Sequence, residues 1–402
     1  MNDVLLKKEN VSHFEDLIAP YSLQDFSENY WDKKPLIIQR DDRSYFESLL
    51  TLKNMDELLD YHRPKGSRIR IVKNQEHLDK SKYENTDGSL KLNQIYASYA
   101  DGYTLVVNEI DSFWKPIKTL CHNMRDVIKH KTVVNMYLTP KNEKALLPHY
   151  DTHDVFVVQV SGKKHWRLYD ADYPSPLVKS FQPIFQREHL KNVQEITVNA
   201  GDIMYIPRGV PHEAYTTDES SLHLTIGVYA TQWLDLIVKS LEGLANSNIA
   251  LRNSLPLGFL NNDTLSLSEE QQQQLTEILG QLLNGGAKDM GLALIGEEFR
   301  TEQQPMSDGH FTSLDHLNEL TAETYLEKRE RMHCKTQVIG PMVRIIFSGN
   351  VIKGPMAVAS TFDYVANVEG SFQIKDLPIM GNDNKIKIAT RLIRGGLLKV
   401  IS

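Results

Sequence analysis

The feature that most limits the fold is a run of short strand-like segments between residues 103 and 229. Each segment has about 5 to 7 residues, and turn residues separate it from the next one. A βαβ arrangement would instead need a long crossover, usually a helix, between successive strands. This region is therefore predicted to form a mainly β domain.

The chain has 402 residues, which is room for two or three domains of ordinary size. Apolar residues at helical spacing occupy residues 14–30, and a short apolar strand follows at residues 36–38. The pattern becomes helical after the β region and mixed towards the end of the chain. We therefore predict three domains, at residues 1–229, 230–300 and 301–402.

The middle domain is predicted to contain two amphipathic helices. The first has apolar residues at helical spacing from Trp233 to Leu244, and the second begins at a capping box formed by Ser268 and Gln271. Apolar stripes of this kind either cover a neighbouring domain or form the interface of a homodimer. The stripes alone do not separate these two possibilities.

The last domain is predicted to be a small α+β domain with a helix near residues 317–332 and strands such as residues 343–347. From Arg344 onward, the sequence has eight Lys and Arg residues and four Asp and Glu residues, which is an excess of four positive charges. This excess is compatible with nucleic-acid contact, but a solvated surface is the favoured interpretation. No nucleic-acid contact is therefore predicted.

The charge and the cysteine content limit the partners and the compartment. The formal net charge of −7 provides no protein-wide positive field for nucleic acid, whereas it would attract a basic protein. Cys121 and Cys334 are not spaced as a paired-thiol motif, which indicates neither a disulfide framework nor a thiolate zinc site. Because the sequence also shows neither a signal peptide nor a long apolar run, we expect a cytoplasmic protein without a membrane span.

The strongest chemical signal is a set of three candidate metal ligands. His149 and Asp151 are two residues apart and project to the same side of an extended backbone. His212 supplies a second imidazole after a strand and a Pro-Gly turn. Two imidazoles and one carboxylate are typical of non-haem iron(II), which keeps coordination positions open for a cosubstrate and dioxygen. In a chain with 14 histidines, this pattern alone is weak.

A predicted hairpin supplies a second signal. Residues 154–160 and 163–169 are expected to form two strands joined by a two-residue turn at Ser161-Gly162. Period-two alternation places Lys164, Trp166 and Leu168 on one face, and the tryptophan indicates that this face is buried. A buried ammonium requires an anion, so a carboxylate from the protein or from a ligand such as 2-oxoglutarate is expected, unless the lysine reaches solvent. Tyr137 either adds a hydroxyl to the same anion or is a core residue.

Four motifs in one order and spacing resemble the JmjC-type ribosomal oxygenases. The resemblance extends over about the first 229 residues, and the opening segments near residues 17–20 and 30–36 also look like this family. The motifs are Asn135-Met136-Tyr137-Leu138-Thr139-Pro140, His149-Tyr150-Asp151, Gly162-Lys163-Lys164-His165-Trp166-Arg167, and Gly201-Asp202 through Pro207-Arg208-Gly209 to His212.

The resemblance implies a double-stranded β-helix, the cupin-like jelly roll, with iron(II) bound to the three candidate ligands. It also implies that Lys164 and Tyr137 bind the distal carboxylate of 2-oxoglutarate and that Asn135 and Thr225 line the site. In the family, a helical dimerisation region and a winged-helix-like domain follow the catalytic domain. This chain is thus expected to be a 2-oxoglutarate-dependent dioxygenase and a homodimer.

The substrate expected from the resemblance is a side chain, arginine or histidine, of a ribosomal protein. Members that act on histidine often have a lysine where Lys164 stands, although this single position does not identify a substrate. His153 departs from the family pattern and is either a substrate contact, a support for the ligands or a packing residue. The alternatives are a hydroxylase of a biosynthetic peptide and a non-catalytic cupin-like binding or scaffold protein.

Overall fold

The chain divides into two compact units, with the boundary between Ala230 and Thr231. The structure is a computed structural model that describes residues 10–177, 179–180, 182–255, 257–259, 267–284 and 286–401. The helical region and the small sheet domain both belong to the second unit, so a further division near residue 300 stays a prediction. Every helix described is too short or too polar to cross a lipid bilayer.

Six helices of the first unit share one hydrophobic core with its strands. The segment predicted to be helical at residues 14–30 forms two helices, and Ser22 caps the second because its Oγ accepts a hydrogen bond from the Asp25 amide at 3.0 Å. The helices are α1 (Phe14–Ile18), α2 (Leu23–Asn29), α3 (Asn54–Asp60), α4 (Lys80–Tyr83), α5 (Leu92–Ala100) and α6 (Lys115–Ile128).

Ten antiparallel strands form the β domain, which confirms the predicted fold class. The strands are β1 (Leu36–Ile38), β2 (Ile69–Lys73), β3 (Glu76–His77), β4 (Thr104–Val107), β5 (Lys131–Thr139), β6 (Asp154–Leu168), β7 (Gln194–Asn199), β8 (Ile203–Ile206), β9 (His212–Tyr215) and β10 (Ser221–Tyr229). Eight of them pair in the order β1-β8-β6-β10-β5-β4-β2-β3, while β7 and β9 pair with β6.

The predicted hairpin at Ser161-Gly162 is wrong, because β6 is one continuous strand of 15 residues. Its first part pairs with β8 and β10, and its second part pairs with β7 and β9. The register against β10 shifts at Val160, between the Leu222–Ser161 and His223–Gln159 pairs. Two residues further on, Gly162 has a positive φ of 66° and leaves no room for a side chain against the Ser220 carbonyl. Val160 and Gly162 therefore mark an irregularity within one strand, whose two parts pair with different neighbours.

Strand β10 shows how this sheet separates the core from the site. Four apolar residues on one face are buried in the large core, namely Leu222, Leu224, Ile226 and Val228. The residues between them face a cavity on the other side, and these include His223 and Thr225. A smaller core contains Trp166, which also lines the cavity, and Leu168, as the predicted alternation of β6 requires.

The first α-helices described in the second unit are α7 (Trp233–Ala245), α8 (Glu269–Asn284) and α9 (Ala287–Thr301). The first two were predicted, and the capping box of α8 forms as expected between Ser268 and Gln271. The third was not predicted. The remaining elements are α10 (His310–Asp315), β11 (Tyr325–Lys328), β12 (Lys335–Ile339), β13 (Met342–Phe347), β14 (Asn350–Pro355), α11 (Ala359–Asn367), β15 (Phe372–Gln373), α12 (Asn382–Arg394) and β16 (Leu398–Val400).

The helix predicted near residues 317–332 is wrong. A short 3₁₀ turn and the strand β11 occupy this stretch, and β11 lies between β15 and β16 in a three-stranded sheet. Leu326 at the centre of β11 is fully buried and pairs with Phe372 and Val400. These pairs come from distant parts of the chain, so tertiary contacts decide the conformation of this stretch.

Candidate metal and cosubstrate site

The three candidate metal ligands converge at one end of the β domain. His149 precedes β6, and His212 begins β9; their backbones form two hydrogen bonds, of 3.0 and 2.7 Å. Asp151 lies two residues after His149 in the same segment. One ligand atom from each of the three residues lies within 4.8 Å of the others. The backbone pairing of two separate segments thus brings the predicted ligands together.

Backbone carbonyls orient both imidazoles. The Nδ1 atom of His149 lies 2.7 Å from the Leu147 oxygen, and the Nδ1 atom of His212 lies 3.0 Å from the Val210 oxygen. Because a carbonyl oxygen only accepts, each Nδ1 carries a proton, and the lone pair of the neutral imidazole is then on Nε2. This arrangement is the usual one for histidines that bind a metal.

The protonation states also suit a metal. Burial and the neighbouring His149 lower the pKa of His212 to about 4, so its imidazole is neutral at neutral pH. Burial by itself would raise the pKa of Asp151, but the surrounding imidazoles bring it below its ordinary value. The site therefore offers the neutral imidazole of His212, the ring of His149 and one carboxylate, a donor set that binds iron(II) and leaves positions open.

A segment from the loop between β6 and β7 borders the metal site. Gln182 donates a hydrogen bond of 2.5 Å to one Asp151 oxygen, and Ile184 forms a backbone bridge with His149. Further along, Arg187 makes two hydrogen bonds, of 2.5 and 2.7 Å, to the carboxylate of buried Glu213, next to His212. These contacts fix the segment to the same two stretches of chain that carry the ligands.

Lys164 lies in the same cavity and is only 3% exposed. Its ammonium donates to the Thr139 hydroxyl at 3.0 Å, and no carboxylate of the described residues pairs with it. Burial lowers the pKa of Lys164 from 10.5 to about 7. The expected protein carboxylate is thus missing from the described residues, which leaves a ligand carboxylate as the expected partner.

The other predicted cosubstrate residues line the same cavity of about 330 Å³. Tyr137 on β5 is directly opposite His223 on β10, and their rings stack with centroids 5.0 Å apart. Asn135 is opposite Thr225 in the same strand pair, and its side-chain oxygen accepts from the Glu109 amide at 3.1 Å. The structure therefore brings all seven candidate residues around one cavity, while their roles stay predictions.

Among the cavity residues that were not predicted, His223 and Arg70 have side-chain nitrogens without a described partner. His223 is buried, its Nδ1 lacks a hydrogen-bond partner among the described residues, and burial together with Lys164 lowers its pKa well below the ordinary value. Arg70 on β2 faces the cavity, and its Nε also lacks a described partner. Alternation from Thr225 would have placed His223 on the site face, whereas no local pattern indicates Arg70.

These unsatisfied groups support an anionic ligand. A buried ammonium without a carboxylate and a buried ring nitrogen without a partner both carry a free-energy cost that a bound acceptor or anion would offset. Lys164 and His223 border the cavity that also holds the three metal ligands. A small dicarboxylate that chelates the metal at one end and meets Lys164 at the other fits this set of groups.

Known proteins are similar to this chain in sequence. Residues 111–236 match the model of the JmjC domain. The "Bifunctional lysine-specific demethylase and histidyl-hydroxylase NO66" of Aedes aegypti is 29% identical over 73% of this chain and 48% of the relative. The protein of that name from Dictyostelium discoideum is 26% identical over 95% of this chain and 81% of the relative, and "Ribosomal oxygenase 2" of Bos taurus is 29% identical over 61% and 55%. The chain spans about half the length of the Aedes relative.

Solved structures with the same fold come from Escherichia coli. The ribosomal oxygenase YcfD has a TM-score of 0.51 and 18% identity, covering 95% of this chain and 98% of that chain. A structure of YcfD in complex with cobalt and 2-oxoglutarate has a TM-score of 0.51 and 17% identity, covering 95% and 99%. Residues 111–236 thus match the JmjC domain, and the chain has the fold of the Escherichia coli ribosomal oxygenase, which confirms the resemblance found in its motifs.

Proposed function

We propose that this chain is an iron(II)- and 2-oxoglutarate-dependent dioxygenase that hydroxylates a protein side chain. The observation that carries the proposal is one cavity with two kinds of group. Three metal donors lie at one position, and the buried ammonium of Lys164 lies at another. Neither a structural zinc site nor an apolar core requires both groups together.

In this proposal, His149, Asp151 and His212 hold iron(II), and Lys164 and Tyr137 bind the distal carboxylate of 2-oxoglutarate. Asn135 and Thr225 line the site beside the cosubstrate. Bound together, iron and 2-oxoglutarate supply the chemistry that places one oxygen atom of dioxygen in a C–H bond and the other in succinate, with release of carbon dioxide.

The residues of the chain orient the reactants and limit the access of water. Nδ1 hydrogen bonds to Leu147 and Val210 fix the imidazoles, and Gln182 fixes one oxygen of Asp151. Apolar side chains border the same cavity, namely Val155, Trp166, Leu146, Ala214 and Ile184. No side chain has to act as a general acid or base, so positioning is the contribution required of the protein.

The proposed substrate is an arginine or histidine side chain of a ribosomal protein. Histidine is favoured because the similar proteins from Aedes aegypti and Dictyostelium discoideum are named histidyl-hydroxylases. The net charge of −7 would assist the encounter with a basic ribosomal protein. The two cysteines are unpaired, which agrees with a cytoplasmic location.

We also propose that the chain forms a homodimer through the helices of residues 230–300. On α7, Trp233 is 82% exposed, and Leu234, Ile237 and Val238 are also exposed. Exposure of an apolar stripe to water costs free energy, and the same stripe on a second copy of the chain could cover it across a two-fold axis. Light scattering at micromolar concentration should give twice the chain mass of 46.0 kDa, and Trp233→Glu should lower it. A wild-type monomer would refute this part.

The test of the proposed activity is a mass comparison of ribosomal proteins from cells with and without this chain. A gain of one oxygen on one protein, lost in cells that carry Asp151→Ala, would support the proposal. Absence of the shift together with 2-oxoglutarate turnover on a different peptide would indicate the biosynthetic alternative. Absence of both turnover and iron binding would favour a scaffold protein.

A further inference from the structure

One face of β10 carries side chains at every position except one, which is a glycine. His223, Thr225, Gly227 and Tyr229 follow one another on one face of β10, and the first two line the cavity, so one position in the row has no side chain. In the adjoining strands, Val155 of β6 and Val133 of β5 are opposite Gly227. A glycine inside a strand weakens it, unless another group needs the space.

The space over Gly227 is filled by the imidazole of His153. A Cβ atom on Gly227 would lie 2.7 Å from the Cδ2 atom and 2.9 Å from the Nε2 atom of this ring, closer than real contacts allow. The backbone of Gly227 does not have a positive φ, so its conformation suits any residue. The glycine is therefore required because His153 approaches closely, and not because of its own backbone conformation.

His153 is held in this place by Tyr229. The two rings stack with centroids 4.7 Å apart and planes 15° apart. His153 follows Asp151 by two residues, and it borders the cavity together with the three candidate metal ligands and Asn135. Its ring therefore forms a wall of the cavity beside the metal position, although it is not one of the three clustered donors.

A second stacked histidine shows what a purely structural role looks like. His165 on β6 stacks on Tyr215 with centroids 5.4 Å apart, outside the cavity. Its Nε2 lies 3.0 Å from the Thr217 hydroxyl and its Nδ1 lies 3.0 Å from the Thr197 hydroxyl, so both nitrogens are satisfied. No hydrogen bond of this kind engages the ring of His153 among the described residues, and its nitrogens stay available to a ligand.

We infer that His153 is a specificity-determining residue, which contacts the side chain to be hydroxylated and sets the width of its entry path. The inference rests on the proposed function. The ring offers a hydrogen-bonding nitrogen, and Asn135 offers an amide to the same cavity. A planar, nitrogen-bearing side chain such as imidazole or guanidinium fits between these groups, since it both stacks and hydrogen-bonds.

The test uses Gly227→Ala, His153→Ala, the double variant and His165→Ala as the matched control. Each purified protein is incubated with iron(II), 2-oxoglutarate and ribosomal protein extracted from cells that lack this chain, and product is measured by mass. Gly227→Ala and His153→Ala should each lower product formation at least about tenfold, because a misplaced target side chain reacts slowly. The dissociation constant of 2-oxoglutarate, measured by calorimetry, should stay within about twofold of the wild-type value in both.

The double variant should lose no more than His153→Ala does, because the added methyl group then has no imidazole to displace. In ¹³C-histidine spectra of the protein without metal, the His153 signal should lose its ring-current shift in Gly227→Ala, while the His165 signal stays. Unchanged product formation in His153→Ala, or additive losses in the double variant, would overturn the inference alone. A wild-type protein that makes no succinate would overturn the proposed function, and the inference with it.

Discussion

Replacing Lys164 with methionine should stabilise the ligand-free protein and strongly weaken 2-oxoglutarate binding. The pKa of Lys164 falls from 10.5 to about 7 on burial, and this fall corresponds to about 5 kcal/mol of free energy at pH 7. Methionine fills a similar volume without a charge, while the Thr139 hydroxyl loses one hydrogen bond, which costs about 1 kcal/mol. The net gain in the free energy of unfolding should be about 2 to 4 kcal/mol, measured by urea denaturation.

The gain should depend on pH in a defined direction. Because the pKa of Lys164 is lower in the folded than in the unfolded state, unfolding takes up a proton between about pH 7 and pH 10.5. The wild-type protein is therefore stabilised as the pH rises through this window. The advantage of Lys164→Met should shrink by about 1.4 kcal/mol for each pH unit above 7 and stay constant below it.

Lys163→Met is the matched control for this prediction. Lys163 precedes Lys164 on the same strand, but its ammonium pairs with Asp218 at 2.9 Å near the surface. Its replacement should produce no gain in stability and leave 2-oxoglutarate binding intact. If Lys164→Met is less stable than the wild type at pH 7, or if its stability gain is independent of pH, the lysine is satisfied without a ligand and the reasoning is wrong.

Three further changes probe other parts of the site. Tyr137→Phe should weaken 2-oxoglutarate binding about fivefold by calorimetry, because one hydrogen bond to the carboxylate is lost; unchanged affinity would make Tyr137 a core residue. Gln182→Leu should weaken iron(II) binding about tenfold in a competition titration, since it frees one oxygen of Asp151, and equal affinity would remove Gln182 from this role. Arg187→Gln should lower the free energy of unfolding by about 1 kcal/mol at neutral pH, because the buried carboxylate of Glu213 loses an ion-pair partner whose side chain is 49% exposed. An unchanged free energy of unfolding would show that Tyr169 and Arg167 are sufficient partners for Glu213.

The three candidate metal ligands were predictable because two of them share one short segment and because their order with the other motifs resembles a known family. His149 and Asp151 share one face of an extended segment, and proline and glycine residues before His212 indicate the turn there. The burial of Lys164 followed in the same way from alternation within β6. Where one short stretch determines which way a side chain points, the sequence was sufficient.

The errors arise where distant segments decide the outcome. Ser161-Gly162 has the composition of a hairpin turn, but pairing of β6 with strands on both sides of it extends the strand through that point. His223 reaches the site through the register of β10 against β5, and Arg70 through the pairing of β2 with β4. A single sequence without the pairing of strands contains no signal that places Arg70 beside Tyr137.

The most direct test of the central claim is an anaerobic titration of the protein with iron(II) and then 2-oxoglutarate, followed by visible absorption. Chelation of ferrous iron by 2-oxoglutarate produces a charge-transfer band. We expect this band at one equivalent of each component in the wild type, its absence in Asp151→Ala, and a much higher 2-oxoglutarate requirement in Lys164→Met. No band in the wild-type protein, or a band of equal strength in Asp151→Ala, would contradict the proposed site.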